Sequence, residues 1–225
     1  FLWTLTQDQL RHCLFPIGEI ESKAKVRQLA TEFGLPTAAK KDSQGICFMG
    51  PVDVQEFLRP HIQSSGRLVS GDIVTTAGVK IGRHEGLEFY TIGQRKGIGI
   101  GGTGPYYVAE KNYAANTLVV ASAGGEVALE SRFLTAKDVN FVSGAKPSGP
   151  IAIAAAVRYR QEPAPAVLEK SADEVLDLSD SMKSRTWRIS FTKPVRAVTP
   201  GQSVVFYGGD EVLGGGVIEL NCPIL

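Results

Sequence analysis

Cys47 lies in the run Lys40-Lys41-Asp42-Ser43-Gln44-Gly45-Ile46-Cys47-Phe48-Met49-Gly50, whose residue types and spacing suit thiol chemistry. A cysteine serves as nucleophile or sulfur carrier in its thiolate form, and cations such as Lys40 and Lys41 lower the pKa that controls it. Gly45 and Gly50 permit the positive-φ turns that would present the side chain at a loop tip. The plainer alternative makes Ile46-Cys47-Phe48 a short apolar strand with Cys47 a small core residue, which burial statistics favour for an isolated cysteine. By residue type alone Lys40 and Lys41 either tune Cys47 or are simply solvated.

Three further stretches carry candidate groups. Gln94-Arg95-Lys96-Gly97-Ile98-Gly99-Ile100-Gly101-Gly102 joins two cations to a glycine-rich turn. Strand-like rather than helical sequence follows it, so it is not a dinucleotide fingerprint. Arg95 and Lys96 either sit in solvent beside a tight connection or touch phosphates. Arg158-Tyr159-Arg160 reads as part of an alternating strand, which would set the two arginines on one face and Tyr159 on the other. Paired arginines can clamp phosphates and a tyrosine can stack on a base; a solvated face over a core Tyr159 is the alternative. Gln202 follows the Thr199-Pro200-Gly201 turn and, by residue type alone, is an ordinary exposed amide. A Cys47–His84 peptidase pair has no local support.

These blocks resemble one family. Lys-Lys-Asp-Ser-x-Gly-Ile-Cys-Phe around Cys47 is similar to the second-cysteine motif of the tRNA-specific 2-thiouridylases (the MnmA/TrmU family). Leu14-Phe15-Pro16-Ile17-Gly18, Tyr90-Thr91-Ile92-Gly93-Gln94-Arg95-Lys96-Gly97, Pro105-Tyr106-Tyr107-Val108, Arg158-Tyr159-Arg160-Gln161, Val198-Thr199-Pro200-Gly201-Gln202 and Leu213-Gly214-Gly215-Gly216-Val217-Ile218 follow in family order over nearly the whole chain. The resemblance implies an ATP- and Mg²⁺-dependent transfer of sulfur to C2 of the wobble uridine. It makes Cys47 the persulfide carrier and Arg158, Tyr159 and Gln202 tRNA contacts, with Lys40, Lys41, Arg95 and Lys96 as further candidates. It implies two partners, the anticodon arm of tRNA and a cysteine desulfurase or sulfur-relay donor. The family's Ser-Gly-Gly-x-Asp-Ser phosphate loop and first catalytic cysteine do not occur here. The chain is therefore expected to be the C-terminal part of a longer enzyme, inactive alone, with no cofactor or metal site of its own. Two alternatives from other classes are a non-catalytic RNA-binding β module and an unrelated thiol enzyme using Cys47.

Composition narrows the setting. Net charge is +1, from 24 basic against 23 acidic residues. That is not the balance of a non-specific nucleic-acid binder, so RNA contact requires local patches. The three cysteines, Cys13, Cys47 and Cys222, are scattered and odd in number. With no Cys-x-x-Cys, neither a zinc site nor a secreted disulfide framework is expected, and cytoplasmic reducing conditions fit best, with an organelle left open. No apolar run approaches the ~18 residues of a membrane span.

The elements that must hold these groups fall into a mixed α and β order. Thr6 caps an expected helix over 7–14 ended by Pro16, and Ser22 caps a second whose Val26, Leu29, Ala30 and Phe33 mark a buried face. Gly34 ends that helix, and a short helix over 54–62 follows the Cys47 loop. Strands are expected at 72–75, 87–92, 106–108 and 117–120. A second set is expected near 133–142, 151–161, 166–170, 175–178, 186–192, 203–207 and 212–219. The division read from this is 1–50, the helical remnant of an α/β nucleotide-binding domain that the resemblance implies; 51–124, a small β-rich central domain; and 125–225, a C-terminal β-barrel.

Overall fold

A computed structural model describes residues 2–41, 54–64, 66, 68–101, 104–159, 161–171 and 186–219. Contacts divide the chain into two compact units: residues 9–67, and residues 1–8 together with 68–225.

The expected helix over 7–14 shortens to α1, Gln7–Leu10, and in the first unit His12 and Cys13 then donate to Gln9 and Leu10 in three-residue turns. Helix α2 spans Lys23–Glu32, and the Ser22 hydroxyl accepts from the Lys25 amide. Gly34, at φ 65°, closes its far end: the amides of Gly34 and Leu35 donate to Thr31 and Ala30. That pair of bonds satisfies the last carbonyls and needs a left-handed residue where glycine stands. The expected buried face of α2 is only half covered. Val26, Leu29 and Ala30 are half-buried and Phe33 is 74% exposed. No strand among the described residues of this unit offers that face a sheet. Helix α3, Val54–Ser64, runs past Pro60 to two residues beyond the expected end.

The second unit holds two β structures. Strands β1 (Gly71–Thr75), β2 (Lys80–His84), β3 (Tyr106–Asn112) and β4 (Thr117–Ser122) form a sheet of order β2-β1-β4-β3, with β1 parallel to β4 and the outer pairs antiparallel. Strand β2 was not expected, because Lys80-Ile81-Gly82-Arg83-His84 offers one large apolar residue and an interior glycine. Its side chains bond across the pair instead. Lys80 Nζ lies 2.7 Å from the Asp72 carboxylate and, by that hydrogen bond, holds its pKa below the usual value. The support is present above the ordinary carboxylate pKa and is lost as pH falls through the lowered one. His84 is buried, its Nε2 3.1 Å from the Asn116 carbonyl.

The strand expected at 87–92 is instead a 3-10 turn, Leu87–Phe89. At about three residues per turn, Leu87 and Tyr90 point the same way, and both are buried in this sheet's core with Ile73, Val108, Leu118 and Val120.

Strands β5 (Glu130–Phe141), β6 (Ile151–Ala156), β7 (Ala164–Lys170), β8 (Trp187–Arg196), β9 (Ser203–Gly208) and β10 (Glu211–Ile218) close a six-stranded barrel in the order β10-β5-β8-β7-β6-β9. Every pairing is antiparallel. Alternate residues fill it: Leu134 and Ala136, Ala166 and Leu168, Trp187, Ile189 and Phe191, Val204 and Phe206. This is the period-two alternation of a barrel whose interior is packed with side chains. Gly201, at φ 81°, suits a type II turn closed by the Gln202 amide on the Thr199 carbonyl; Gly209 turns the β9–β10 hairpin. The expected strand at 175–178 lies outside the described residues.

Residues near the start of the chain belong to this barrel. Trp3 is buried, and the Asn140 amide donates to the carbonyls of Trp3 (2.7 Å) and Leu5 (3.1 Å). A Cβ on Gly215 would come within 2.7 Å of the Trp3 ring, so glycine makes the seat. Among the described residues no helix is long and apolar enough to cross a membrane.

Candidate functional site

The glycine-rich stretch is held from below. The Gly93 amide donates to Val108 on β3 (2.7 Å), and the Val108 amide donates back to Gln94 (3.0 Å). The Gln94 side chain then braces the turn, accepting from the Thr91 amide and donating to the Lys96 carbonyl. Ile98 is buried in the sheet's core, while Arg95, Lys96, Gly97 and Gly99 are exposed around it. Anchored by Ile98, with positive φ at Gly97 and Gly99, the loop holds its two cations at the surface. A cavity of about 270 Å³ opens beside it, lined by Arg95, Gly97, Gly99, Pro105 and Tyr106. Arg95 brings a guanidinium and Tyr106 a phenol to that lining, groups that can meet a phosphate or a base.

The barrel meets the sheet at the same place. Strand β6 ends at Ala156, so the expected strand over 151–161 is cut short and Arg158 and Tyr159 lie in a bend. The reading that sets Arg158 and Arg160 on one strand face is thereby corrected; Arg160 itself lies outside the described residues. The reason is local. The Arg158 guanidinium turns inward and donates to the Ile92 carbonyl and to Thr199 Oγ1 (3.2 Å), while the Gln161 amide closes the turn on the Arg158 carbonyl. Burial pushes the Arg158 guanidinium below its ordinary pKa, and neighbouring Arg196 adds repulsion. It remains a cation at neutral pH, as arginine does in proteins.

Thr199 is buried and donates to the Ala197 carbonyl (3.0 Å). Ala197 adopts φ 59°, and a Cβ on Gly93 would come within 2.7 Å of its methyl. Next to it, the Arg196 guanidinium stands 4.8 Å from the Tyr107 ring centroid of β3. Cation–π contact of this kind suits arginine over tyrosine.

Of the residues singled out from sequence, Arg158 and the Thr199-Pro200-Gly201-Gln202 turn are brought against the loop bearing Arg95 and Lys96. Tyr159 is 90% exposed, which excludes the reading of it as a core residue. Gln202 is exposed, its backbone pinned by the Thr199 carbonyl and the Ile218 amide. In the other unit Lys40 and Lys41 are exposed, and Arg27 donates to the Lys40 carbonyl (2.7 Å). Cys47 lies outside the described residues. Cys13 is half-buried, with its thiol 3.4 Å from the Gln9 carbonyl. Sequence reading missed the Ile92 carbonyl, Ala197, Arg196 and Tyr107. A carbonyl and an alanine carry no residue-type signal, whereas Tyr107 stood inside a quoted motif. Among the described residues there is no group of three or more His, Cys, Asp or Glu able to hold a metal.

Comparison with known proteins accounts for most of the chain. Residues 1–51 match a family described as the tRNA methyl transferase HUP domain, 55–122 the tRNA methyl transferase PRC-barrel domain, and 131–218 the aminomethyltransferase beta-barrel domain. The chain is 42% identical to the tRNA-specific 2-thiouridylase MnmA of Alkalilimnicola ehrlichii and 43% identical to that of Buchnera aphidicola, with 100% of the chain and 58% of each relative covered. It is 44% identical to the protein of that name from Lysinibacillus sphaericus, over 97% of the chain and 54% of the relative. The chain thus spans little more than half the length of the curated relatives it matches. With that identity running along the whole chain and the six-stranded barrel of β5 to β10 lying where the beta-barrel family matches, the chain belongs to the family of tRNA-specific 2-thiouridylases.

Proposed function

We propose that this chain forms the sulfur-carrying and RNA-holding part of a tRNA uridine 2-sulfurtransferase. The observation that carries this reading is identity of 42–44% to proteins named tRNA-specific 2-thiouridylase, along essentially the whole chain. The family descriptions speak of methyl transfer. The relatives' names are followed here because those alignments run through all three matched regions and through Cys47.

In this reading Cys47 carries a sulfane sulfur as a persulfide, supplied by a cysteine desulfurase or sulfur-relay protein. The terminal sulfur forms a bond to C2 of the wobble uridine as the activated C2 oxygen leaves. A second thiol then attacks the Cys47 sulfur, the S–S bond breaks, and a disulfide remains while the sulfur stays on the base. ATP, when bound in the full-length enzyme, supplies the oxygen activation. The family's Ser-Gly-Gly-x-Asp-Ser phosphate loop does not occur among these 225 residues.

The RNA-facing groups are Arg95 and Lys96 on the braced loop, Tyr159 in the bend, and Gln202 on its turn, with Lys40 and Lys41 near the carrier cysteine in sequence. The anticodon arm is the proposed partner and the cytoplasm the proposed location. The direct test incubates full-length protein with ATP, a persulfide donor and unmodified tRNA, then digests the RNA and separates nucleosides by mass. 2-Thiouridine is expected; methylated uridine, or no modified base, would overturn the reading.

Tyr159→Ala tests the RNA surface separately. Loss of one stacked base costs about 1–3 kcal/mol, so tRNA affinity should fall by about 5- to 150-fold. Because the ring is 90% exposed, the melting temperature should hold. Unchanged affinity in a filter-binding titration would remove Tyr159 from the surface.

A further inference from the structure

We propose that Arg158 is a positioning residue that ties the Thr91–Ile100 loop to the barrel, rather than a ligand of RNA phosphate. The proposal deepens the RNA-binding reading above and rests on it for its RNA arm alone.

Arginine reaches phosphates when its guanidinium is presented to solvent with donors to spare. Here the group is turned inward, donating to the Ile92 carbonyl and to the Thr199 hydroxyl. Ile92 directly precedes Gly93 and Gln94, whose backbones pair with Val108 and so set the root of the loop. Thr199 in turn directly precedes the Pro200-Gly201 turn that presents Gln202. One side chain therefore fastens the root of the Arg95 and Lys96 loop to the root of the Gln202 turn. Tyr159, the next residue, is left facing outward.

The surroundings are built to the same end. Gly93 permits an approach that a Cβ would block, lying 2.7 Å from the Ala197 methyl and 3.1 Å from the Arg158 guanidinium. Ala197 accepts a left-handed backbone, and its carbonyl accepts a hydrogen bond from the Thr199 hydroxyl. Arg196 on the Tyr107 ring makes a second bridge between barrel and sheet. A half-burial that disfavours the cation is tolerable where the guanidinium keeps charge-assisted hydrogen bonds, here two from one nitrogen.

The test uses the full chain in wild-type, Arg158→Ala, Arg158→Lys and Thr199→Val forms. Amide hydrogen exchange at Gly93 and Val108 should quicken at least tenfold in Arg158→Ala, with the barrel amide of Ile189 unchanged. Arg158→Lys and Thr199→Val should show smaller increases at the same amides. If Arg158→Ala is too unstable to study, the Arg158→Lys and Thr199→Val increases decide the point. Unchanged exchange at Gly93 and Val108 in the variants overturns the proposal.

In the RNA arm, tRNA affinity is measured over a range of salt. A latch predicts weaker binding in Arg158→Ala, about tenfold, with the log–log salt slope kept and affinity partly restored in Arg158→Lys. A slope lowered by about 0.7–0.9 would mean one lost phosphate contact and would overturn the proposal. Absence of tRNA binding by the wild-type protein would defeat the RNA reading, while the exchange measurement would still decide the latch.

Discussion

Replacing Cys47 by serine is expected to reduce 2-thiouridine formation by the full-length protein by about a thousandfold or more. Tight tRNA binding should survive, within about twofold, because the change leaves every basic residue that could meet a phosphate in place. The size of the effect follows from what the atom does. A persulfide stores transferable sulfur in an S–S bond, and a serine hydroxyl can neither accept that sulfur nor release it by thiol exchange. Substitution by Cys13 is not expected. Cys13 is half-buried with its sulfur directed at the Gln9 carbonyl, so Cys13→Ser should leave thiolation intact and serve as the control. The measurement is nucleoside mass spectrometry of the treated tRNA, beside a binding titration. Full thiolation by the serine variant would return the chain to the non-catalytic RNA-binding alternative. Hydrolase-type labelling of Cys47 without ATP or tRNA would favour an unrelated thiol enzyme.

Gly214→Ala should be the most damaging single methyl the barrel can receive among the glycines of β10. The added carbon would stand 2.1 Å from the Asn140 carbonyl oxygen and 3.1 Å from the Phe141 Cα, both backbone on neighbouring β5. Flexible side chains can move away from a clash, but a paired backbone moves only by opening its ladder. Overpacking of this kind costs about 3 kcal/mol, which for a chain of this size lowers the melting temperature by about 6–12 °C. Gly149→Ala supplies the contrast, since a Cβ there meets nothing within 4 Å and the position carries no positive φ. It should be nearly neutral. Both tryptophans, Trp3 and Trp187, lie in this unit and are buried, so their emission follows its unfolding directly. Equal melting temperatures for the two variants would show that the β5–β10 pairing is looser than its geometry indicates.

The barrel was legible because its code is local. Runs such as Trp187-Arg188-Ile189-Ser190-Phe191 alternate inward and outward residues, and turn residues separate them. The segment Leu87–Tyr90 was not, because apolar side chains three apart in a short run fit an extended strand or a 3-10 turn equally well. Strand β2 was missed because its stability comes from partners: Gly82 and the polar residues around it gain meaning only beside Asp72 and Asn116. The functional surface divided in the same manner. Arg95, Lys96, Tyr159 and Gln202 could be named from their motifs, and the structure leaves all four exposed. The inward turn of Arg158 could not be read, since its acceptor is a main-chain oxygen 66 positions away and no side chain advertises it. Ala197 in a left-handed conformation is likewise invisible to residue type.

The seat of Trp3 has a consequence for how the molecule is made. Its floor includes Gly215 on β10, the strand that also closes the barrel against β5 and β9. During translation the tryptophan leaves the ribosome roughly two hundred residues ahead of its floor. Contacts of such wide sequence separation form slowly, and until they do an aromatic ring and two open sheet edges stay in solvent. Trp3 must then wait unburied until β10 has been made, a window in which a nascent-chain chaperone would find it.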